Sequence, residues 1–540
     1  MPTVFTDLHR PARSGASVTV AARAPRTTRS PARPRDSPLL LVACLSLLAA
    51  LVRLPSFARP FWSPDEGYLS TQAAMLRDGG RLYVDVVDRK PPLLPWLYEA
   101  CLALAGDHAL FLVRVLAVGA LSLTAVYTAR LAGRLLGPWA ALPAGVLTVA
   151  ASAALPAPDA MAATFEIFML PATAAAVYYG VKGRWLTAGL AVAVAALTKQ
   201  VGLAVLLPLA FMALTGAGRR RGAVRLAVGT ALPLLGCAAL LGWRPFAFWV
   251  LFSSGSYATS PPGWGEVLGH ATGNLGHLMT AFAGCAALVL LPRANRGTPP
   301  RPSQVRATAP APATSPAPAP AADRVLVVWL VASAAGVSVG WHYYGHYFLQ
   351  LVPPLALLAL RGVDRFGRTV RTGRPRASVL VTLSALMVAA GWTTAAFRAE
   401  EPDMAKSLAV ARVVRDLTEP GQPVFAWSMH PEVYWQAERP PASRYLTAGL
   451  LTNYSGGGDP HTVGRTHAVP GTWPVLLREL AATPPCAVVD DSAGTPYDLT
   501  HYPELHRLLT DGYRLETTVD GARVYRRHNA TDNGCGPATS

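Results

Sequence analysis

Apolar runs of roughly 17–25 residues, the length of a helix that crosses a bilayer, recur along this sequence and leave it few folds to choose from. They fall at about 38–54, 109–130, 139–155, 165–181, 185–198, 201–216, 225–243, 266–291, 325–341, 348–361 and 377–396. Only 15% of the 540 residues are charged, where a soluble chain carries about a quarter. The reading is an α-helical polytopic membrane protein with about eleven transmembrane helices. The runs 185–198 and 201–216 are too short for ~30 Å of hydrocarbon. They are expected to form a hairpin whose tip, Thr198-Lys199-Gln200, reaches the outer interface.

The net charge of +17 would suit nucleic acid, but its distribution argues against that partner. Basic residues gather in alternate loops, which is topology information. Loops assigned to the inside hold 26 of them, and loops assigned to the outside before residue 398 hold seven. The assignment makes residues 1–37 a disordered basic cytoplasmic tail and 293–324 a cytoplasmic Ala/Pro-rich linker. It places 398–540 outside the cell, on a bacterial plasma (inner) membrane protein. Of six cysteines, Cys44, Cys101, Cys237 and Cys285 lie in apolar stretches, Cys486 and Cys535 lie in the C-terminal segment, and none has metal-ligand spacing. The sequons at Asn453 and Asn529 read as incidental.

Residues 398–540 differ in kind. Short β-rich runs at 423–427 and 486–490 alternate with helical stretches near 405–417 and 474–482, and a hairpin spans Tyr513 to Tyr525 with its turn at Asp520-Gly521. They read as one soluble α/β domain.

Chemistry concentrates in the first outer loop, 56–100, which holds six acids among five bases and aromatic residues suited to a membrane interface. A helix is expected from Pro64 to Asp78, with Gly79 past its end. Ser63-Pro64-Asp65-Glu66 fits a capping box, with Ser63 at the N-cap and Glu66 three residues on. That accounts for Glu66 but leaves Asp65 without an obligatory partner. A carboxylate here can act as general base toward an acceptor hydroxyl. Farther on, Asp88-Arg89-Lys90-Pro91-Pro92 presents Lys90 rigidly ahead of an apolar helix, either to a lipid phosphate or as a snorkelling base. Lysine is scarce, four against 44 arginines, yet Lys90 and Lys199 both fall in the outer region. Glu166 lies at the start of the fourth span, where an acid is costly and usually functional. Asp159 precedes it, and Asp159, Asp88 and Tyr68 are read as substrate-binding. The segment 341–348 carries His342 and His346 among aromatics. Their spacing could suit a metal on a helix, but a third ligand is not evident, and donor contact or an aromatic belt are the other readings.

Asp65-Glu66 after the first span, Lys90-Pro91-Pro92, the acid at the fourth span, Lys199-Gln200 and His346-Tyr347-Phe348 together resemble the glycosyltransferase family 39 group. That group includes protein O-mannosyltransferases and the aminoarabinose transferases of lipid A. The resemblance covers roughly residues 40–360. It implies a GT-C fold, a polyprenyl-phosphate sugar donor carrying a mannose-like sugar or a pentose, and inversion at the anomeric carbon. It maps the catalytic base onto Asp65; Glu66 and Glu166 are read as further catalytic carboxylates. The KPP lysine that contacts the carrier phosphate maps onto Lys90; Lys199, His342 and His346 are read as further donor-phosphate contacts. The acceptor is left open among glycan, lipid and protein, and so is a divalent metal. Asp88-Arg89-Lys90 departs from the lipid A transferases, which show Glu directly before Lys.

The alternative is a transporter or flippase for polyprenyl-linked lipid or sugar. It calls for internal repeats and several mid-span ionisable groups, whereas here no clear repeat is seen and polar residues gather at the outer face. A receptor with an outer ligand-binding domain would leave the acids and lysines of the first loop without a role. The charge asymmetry makes a direct prediction. A reporter active only in the cytoplasm, fused after Ser540, will be silent; strong activity there would break the eleven-span register.

Overall fold

The computed structural model describes residues 38–216, 218–253, 262–290, 319–367, 373–455, 460–528 and 535. The expectations for the 1–37 tail, for most of the 293–324 linker and for the Asn529 sequon lie outside the described residues. Residues 1–40 and 41–540 form separate units; of the first, only 38–40 are described, at the start of helix α1 (Pro38–Val52).

The apolar runs are helical. After α1 come α2 (Pro64–Arg77), α3 (Leu93–Ala105), α4 (Ala109–Leu135), α5 (Ala141–Ala153), α6 (Phe165–Val181) and α7 (Trp185–Thr198). A 3₁₀ stretch, Gln200–Val205, leads into α8 (Leu206–Thr215). Then follow α9 (Arg219–Leu240), α10 (Trp264–Thr280), α11 (Ala283–Leu290), α12 (Ala319–Val337), α13 (Val352–Gly367) and α14 (Arg374–Arg398). Among the described residues three helical stretches are long and apolar enough to cross a membrane: Leu93–Leu135, Arg219–Leu240 and Arg374–Leu417. The pair α10 and α11, bent by 74°, makes a fourth if it is one span. Helices α1, α5, α6, α7 and α8 fall short of that length, and α3 is the apolar helix that follows Lys90-Pro91-Pro92. The count of eleven therefore does not follow from helix length.

The helix surfaces show which solvent they face. On α14 the exposed side chains include Val379, Leu380, Leu383, Met387 and Phe397, while Ala377, Ala385, Ala389 and Ala396 are buried. On α9 Val224, Val228, Leu232 and Leu235 face out, and Gly222 and Gly229 face in. Large apolar residues outside and small ones inside is the pattern of helices packed in lipid. The close approach is real: a Cβ on Gly229 would stand 3.1 Å from the Cα of Gly189 on α7.

The C-terminal segment forms a four-stranded sheet, in the order β1 (Val424–Trp427), β2 (Ala487–Asp490), β4 (Ala522–Arg527), β3 (Tyr513–Val519). The β1–β2 pair is parallel and the other pairs are antiparallel. The hairpin turns at Asp520 and Gly521, whose φ values of 47° and 86° are what a tight two-residue turn needs. Helices α15 (Pro402–Leu417), α16 (Glu432–Ala437), α17 (Thr472–Ala482) and α18 (Pro503–Gly512) accompany the sheet. A disulfide joins Cys486 to Cys535. This segment does not stand apart from the first loop. Leu82, Tyr83, Val86 and Val87 share one buried cluster with Trp427, Tyr445 and Trp473.

Candidate active site

The site begins at the N-terminus of α2. Ser63 is extended, at φ −152° and ψ 146°, and its side chain accepts from the Asp65 amide at 3.2 Å. Pro64 opens the helix, Asp78 closes it, and Gly79 follows at φ 93°. The capping box itself is only half formed, and this corrects the expectation for Glu66. Its carboxylate does not return to Ser63. It accepts from the amides of Trp62 at 2.8 Å and Ala163 at 2.9 Å, and from Arg114 at 3.3 Å. Glu66 is wholly buried, and a buried carboxylate needs paired, hydrogen-bonded surroundings that one helix-end amide cannot supply. The same guanidinium donates to the carbonyls of Arg59 and Pro60 at 2.7 and 2.8 Å. Sequence reasoning missed Arg114, although an arginine within the apolar 109–130 run was a signal. It also missed Arg53, whose guanidinium holds the carbonyls of Ala160 and Met161 at 2.8 Å each.

Beside this anchor, three acid–base pairs meet. Lys90 Nζ lies 3.2 Å from Asp65 Oδ1. Lys199 Nζ bonds Glu166 Oε1. His346 Nδ1 lies 2.5 Å from Asp159 Oδ1, which also accepts the His346 amide at 3.0 Å. Both lysines rest on aromatic faces, Lys90 4.3 Å from the Phe165 centroid and Lys199 4.1 Å from that of Tyr347. Glu166 is wholly buried, and its Oε2 meets no hydrogen-bond partner among the described residues. Gln200 links the lysine segments by donating to the Arg89 carbonyl at 2.6 Å and to that of Val250 at 3.0 Å.

Asp88 and Tyr68 hold the Lys90 loop in shape. Asp88 accepts from the Lys90 amide at 3.2 Å and from Gln72 at 3.3 Å, and the Tyr68 hydroxyl donates to the Val87 carbonyl at 2.9 Å. His342 is not brought into the cluster. It is buried, its Nε2 lies 3.1 Å from Ser455 Oγ, and it stacks on Tyr344 at 5.4 Å. Trp341 and Tyr343 have φ of 62° and 49°, so the two histidines do not share a helix. Among the described residues no three or more His, Cys, Asp or Glu side chains are grouped to hold a metal ion.

The charges set one another's acidity. Burial pushes Asp65 up, but Lys90, then His346 and Lys199, outweigh it and hold its carboxyl below the usual value of 3.8. Burial works against charge on Lys90, yet Asp65 and Asp88 raise it above its ordinary value. Burial lowers His346, and Glu166 and Asp159 reverse this and raise it above 6.5. Burial, with His270 nearby, drives His342 the other way, down to about 4.

The model of the dolichyl-phosphate-mannose-protein mannosyltransferase family matches residues 89–249, a stretch that contains Lys90, Asp159, Glu166 and Lys199 and starts after Asp65. Among curated proteins, none matches the sequence. The fold is similar to the crystal structure of ArnT from Cupriavidus metallidurans bound to undecaprenyl phosphate, with TM-score 0.59 and 16% identity over 91% of this chain and 98% of that one. The apo structure of the same ArnT gives TM-score 0.58 and 16% identity, over 90% and 97%. The chain thus shares the fold of ArnT, and the family model falls within the stretch on which the motif resemblance rests.

The buried anchor is open to test. Arg114→Met strands the Glu66 carboxylate without its cation, at a cost of about 3–5 kcal/mol. The melting temperature of the purified variant in detergent will fall accordingly, and an unchanged curve would show the pair to be idle.

Proposed function

We propose that this chain is a membrane glycosyltransferase that moves a sugar, mannose-like or a pentose, from a polyprenyl phosphate to an acceptor at the outer face of the membrane. The carrying observation is the arrangement of Asp65 against Lys90, with Lys199–Glu166 and Asp159–His346 alongside. A phosphate diester brings negative charge into this cluster, where Lys90, Lys199 and His346 can neutralise it. The unengaged Glu166 Oε2 can accept a sugar hydroxyl. Asp65 is ionised and takes the proton as the acceptor hydroxyl attacks the anomeric carbon. The new glycosidic bond forms as the bond to the phosphate oxygen breaks on the opposite face. The lipid phosphate leaves with the bonding pair, and the configuration inverts. Glu66 supports the turn that carries Asp65 and takes no part in the proton transfer.

Purified protein in nanodiscs, given synthetic polyprenyl-phosphate mannose and pentose donors, tests the assignment. Asp65→Asn keeps the melting curve and the donor KM and lowers turnover about 100- to 10,000-fold. Glu66→Gln leaves Arg114 without its anion and lowers the melting temperature, while the folded fraction keeps its turnover. If Asp65→Asn works normally while Glu66→Gln is stable and dead, the base is the other acid. Lys90→Met raises the donor requirement, and Lys90→Arg restores only part of the loss, because the guanidinium fork replaces a compact ammonium; full activity in Lys90→Met removes it from the site.

The pH profile follows from the same pairs. Asp65 is depressed, so it stays ionised until pH falls below the usual carboxylate range. His346 is raised, so it keeps its charge to a higher pH than a free imidazole and loses it as pH climbs through a value above 6.5. Turnover will therefore fall on the alkaline side, and His346→Gln will flatten that fall. A wild-type profile flat from neutral to alkaline pH would take His346 out of the reaction.

A further inference from the structure

We propose that the C-terminal α/β segment fixes the position of the helix that carries Asp65, with Gly67 and Glu432 as the positioning residues. The inference rests on the reading of Asp65 as the base. Gly67 lies two residues after Asp65, within the same turn of α2. A Cβ at Gly67 would overlap the Cβ of Glu432 and stand 2.6 Å from its Cα and 2.8 Å from its amide nitrogen. These are backbone and root atoms of α16, which cannot swing aside as a side-chain tip can. One turn on, Thr71 donates to the Pro431 carbonyl at 3.2 Å.

Glu432 is itself fixed. It is wholly buried and accepts from Ser407 of α15 at 2.6 Å, with His430 Nδ1 at 2.9 Å. Tyr68 and Met75 of α2 pack against the cluster formed by Val410, Val414 and Val433. The same segment also reaches the opposite wall of the site. The Ser455 carbonyl accepts from Tyr344 at 2.5 Å, and the Tyr344 ring stacks on His346 at 5.9 Å. The C-terminal segment therefore touches both the Asp65 helix and the histidine strip that pairs with Asp159. The spacing of Asp65 from Lys90 depends on a contact only a glycine permits.

Gly67→Ala in the full chain tests this. Misplacement by about 1 Å costs as much as 100-fold, so transfer kcat will fall about 10- to 100-fold with the donor KM near the parent's. The acid limb of the pH profile will move to higher pH, because burial still raises Asp65 while Lys90 offsets it less. A parental kcat, or a lost kcat with an unmoved limb, overturns the proposal. Should Gly67→Ala fail to fold, Thr71→Ala removes only the bond to Pro431 and is expected to act in the same direction, less strongly. A readout free of catalysis uses Asp65→Cys with Lys90→Cys, in a chain whose other free cysteines are replaced, and a short bifunctional thiol reagent. Adding Gly67→Ala will reduce the cross-link, and an unchanged yield overturns the proposal. If the parent transfers no sugar from any donor offered, the reading of function fails, and the cross-link still decides this inference.

Discussion

One buried carboxylate organises the outer end of this protein. Glu66 gathers the Trp62 amide, the Ala163 amide and the Arg114 guanidinium, and so ties the turn before α2 to α4 and to the segment that leads into α6. Arg114 extends the knot to the carbonyls of Arg59 and Pro60. A charge with no exposed surface cannot fall back on water, so each of these partners contributes to the stability of the outer end. Asp65 is the next residue, less buried and bonded to a lysine. Neighbouring acids on one helical turn thus divide into one that builds and one that remains available.

Availability depends on how the charges alternate. Asp65, Glu166 and Asp159 each have a base of their own, and those bases come from three distant places in the chain, Lys90, Lys199 and His346. The pairs are close enough to feel one another, since Asp65 responds to all three bases. A ligand phosphate entering here would compete with carboxylates for cations that are already oriented. The aromatic faces of Phe165 and Tyr347 under the two lysines keep those ammonium groups in place while the partner changes.

Much of this could be read in the sequence wherever the signal was local. The run 165–181 is the helix Phe165–Val181, and 185–198 is Trp185–Thr198. The turn at Asp520-Gly521 was written in its residue types. Asp65, Lys90, Glu166 and Lys199 stood out because acids and lysines are rare in such a chain. What the sequence hid was pairing. The capping box looked complete because Glu66 had the right offset, and nothing local says that Arg114, 48 residues on, claims it. His342 and His346 looked alike by spacing, yet Trp341 and Tyr343 turn the backbone so that one faces Ser455 and the other Asp159. An apolar helix was legible after Lys90-Pro91-Pro92, but α3 was not among the eleven runs. Cys486 and Cys535 offered no spacing that would announce their bond.

The sheet has two edges, and both are shielded from further pairing. On β1, the Val424 amide donates to the Pro440 carbonyl at 2.9 Å and its carbonyl accepts from Ala442 at 2.8 Å. On β3, the register shifts between Leu515 and Thr517, and Arg514 and Glu516 stand on the exposed strand. An irregular, charged strand and a strand already occupied by its own chain make poor templates for another copy. Proteins confined to a membrane meet copies of themselves often, in two dimensions and in a shared orientation. In that setting a bare strand would recruit neighbours into ribbons, whereas these edges let each molecule keep its sheet to itself.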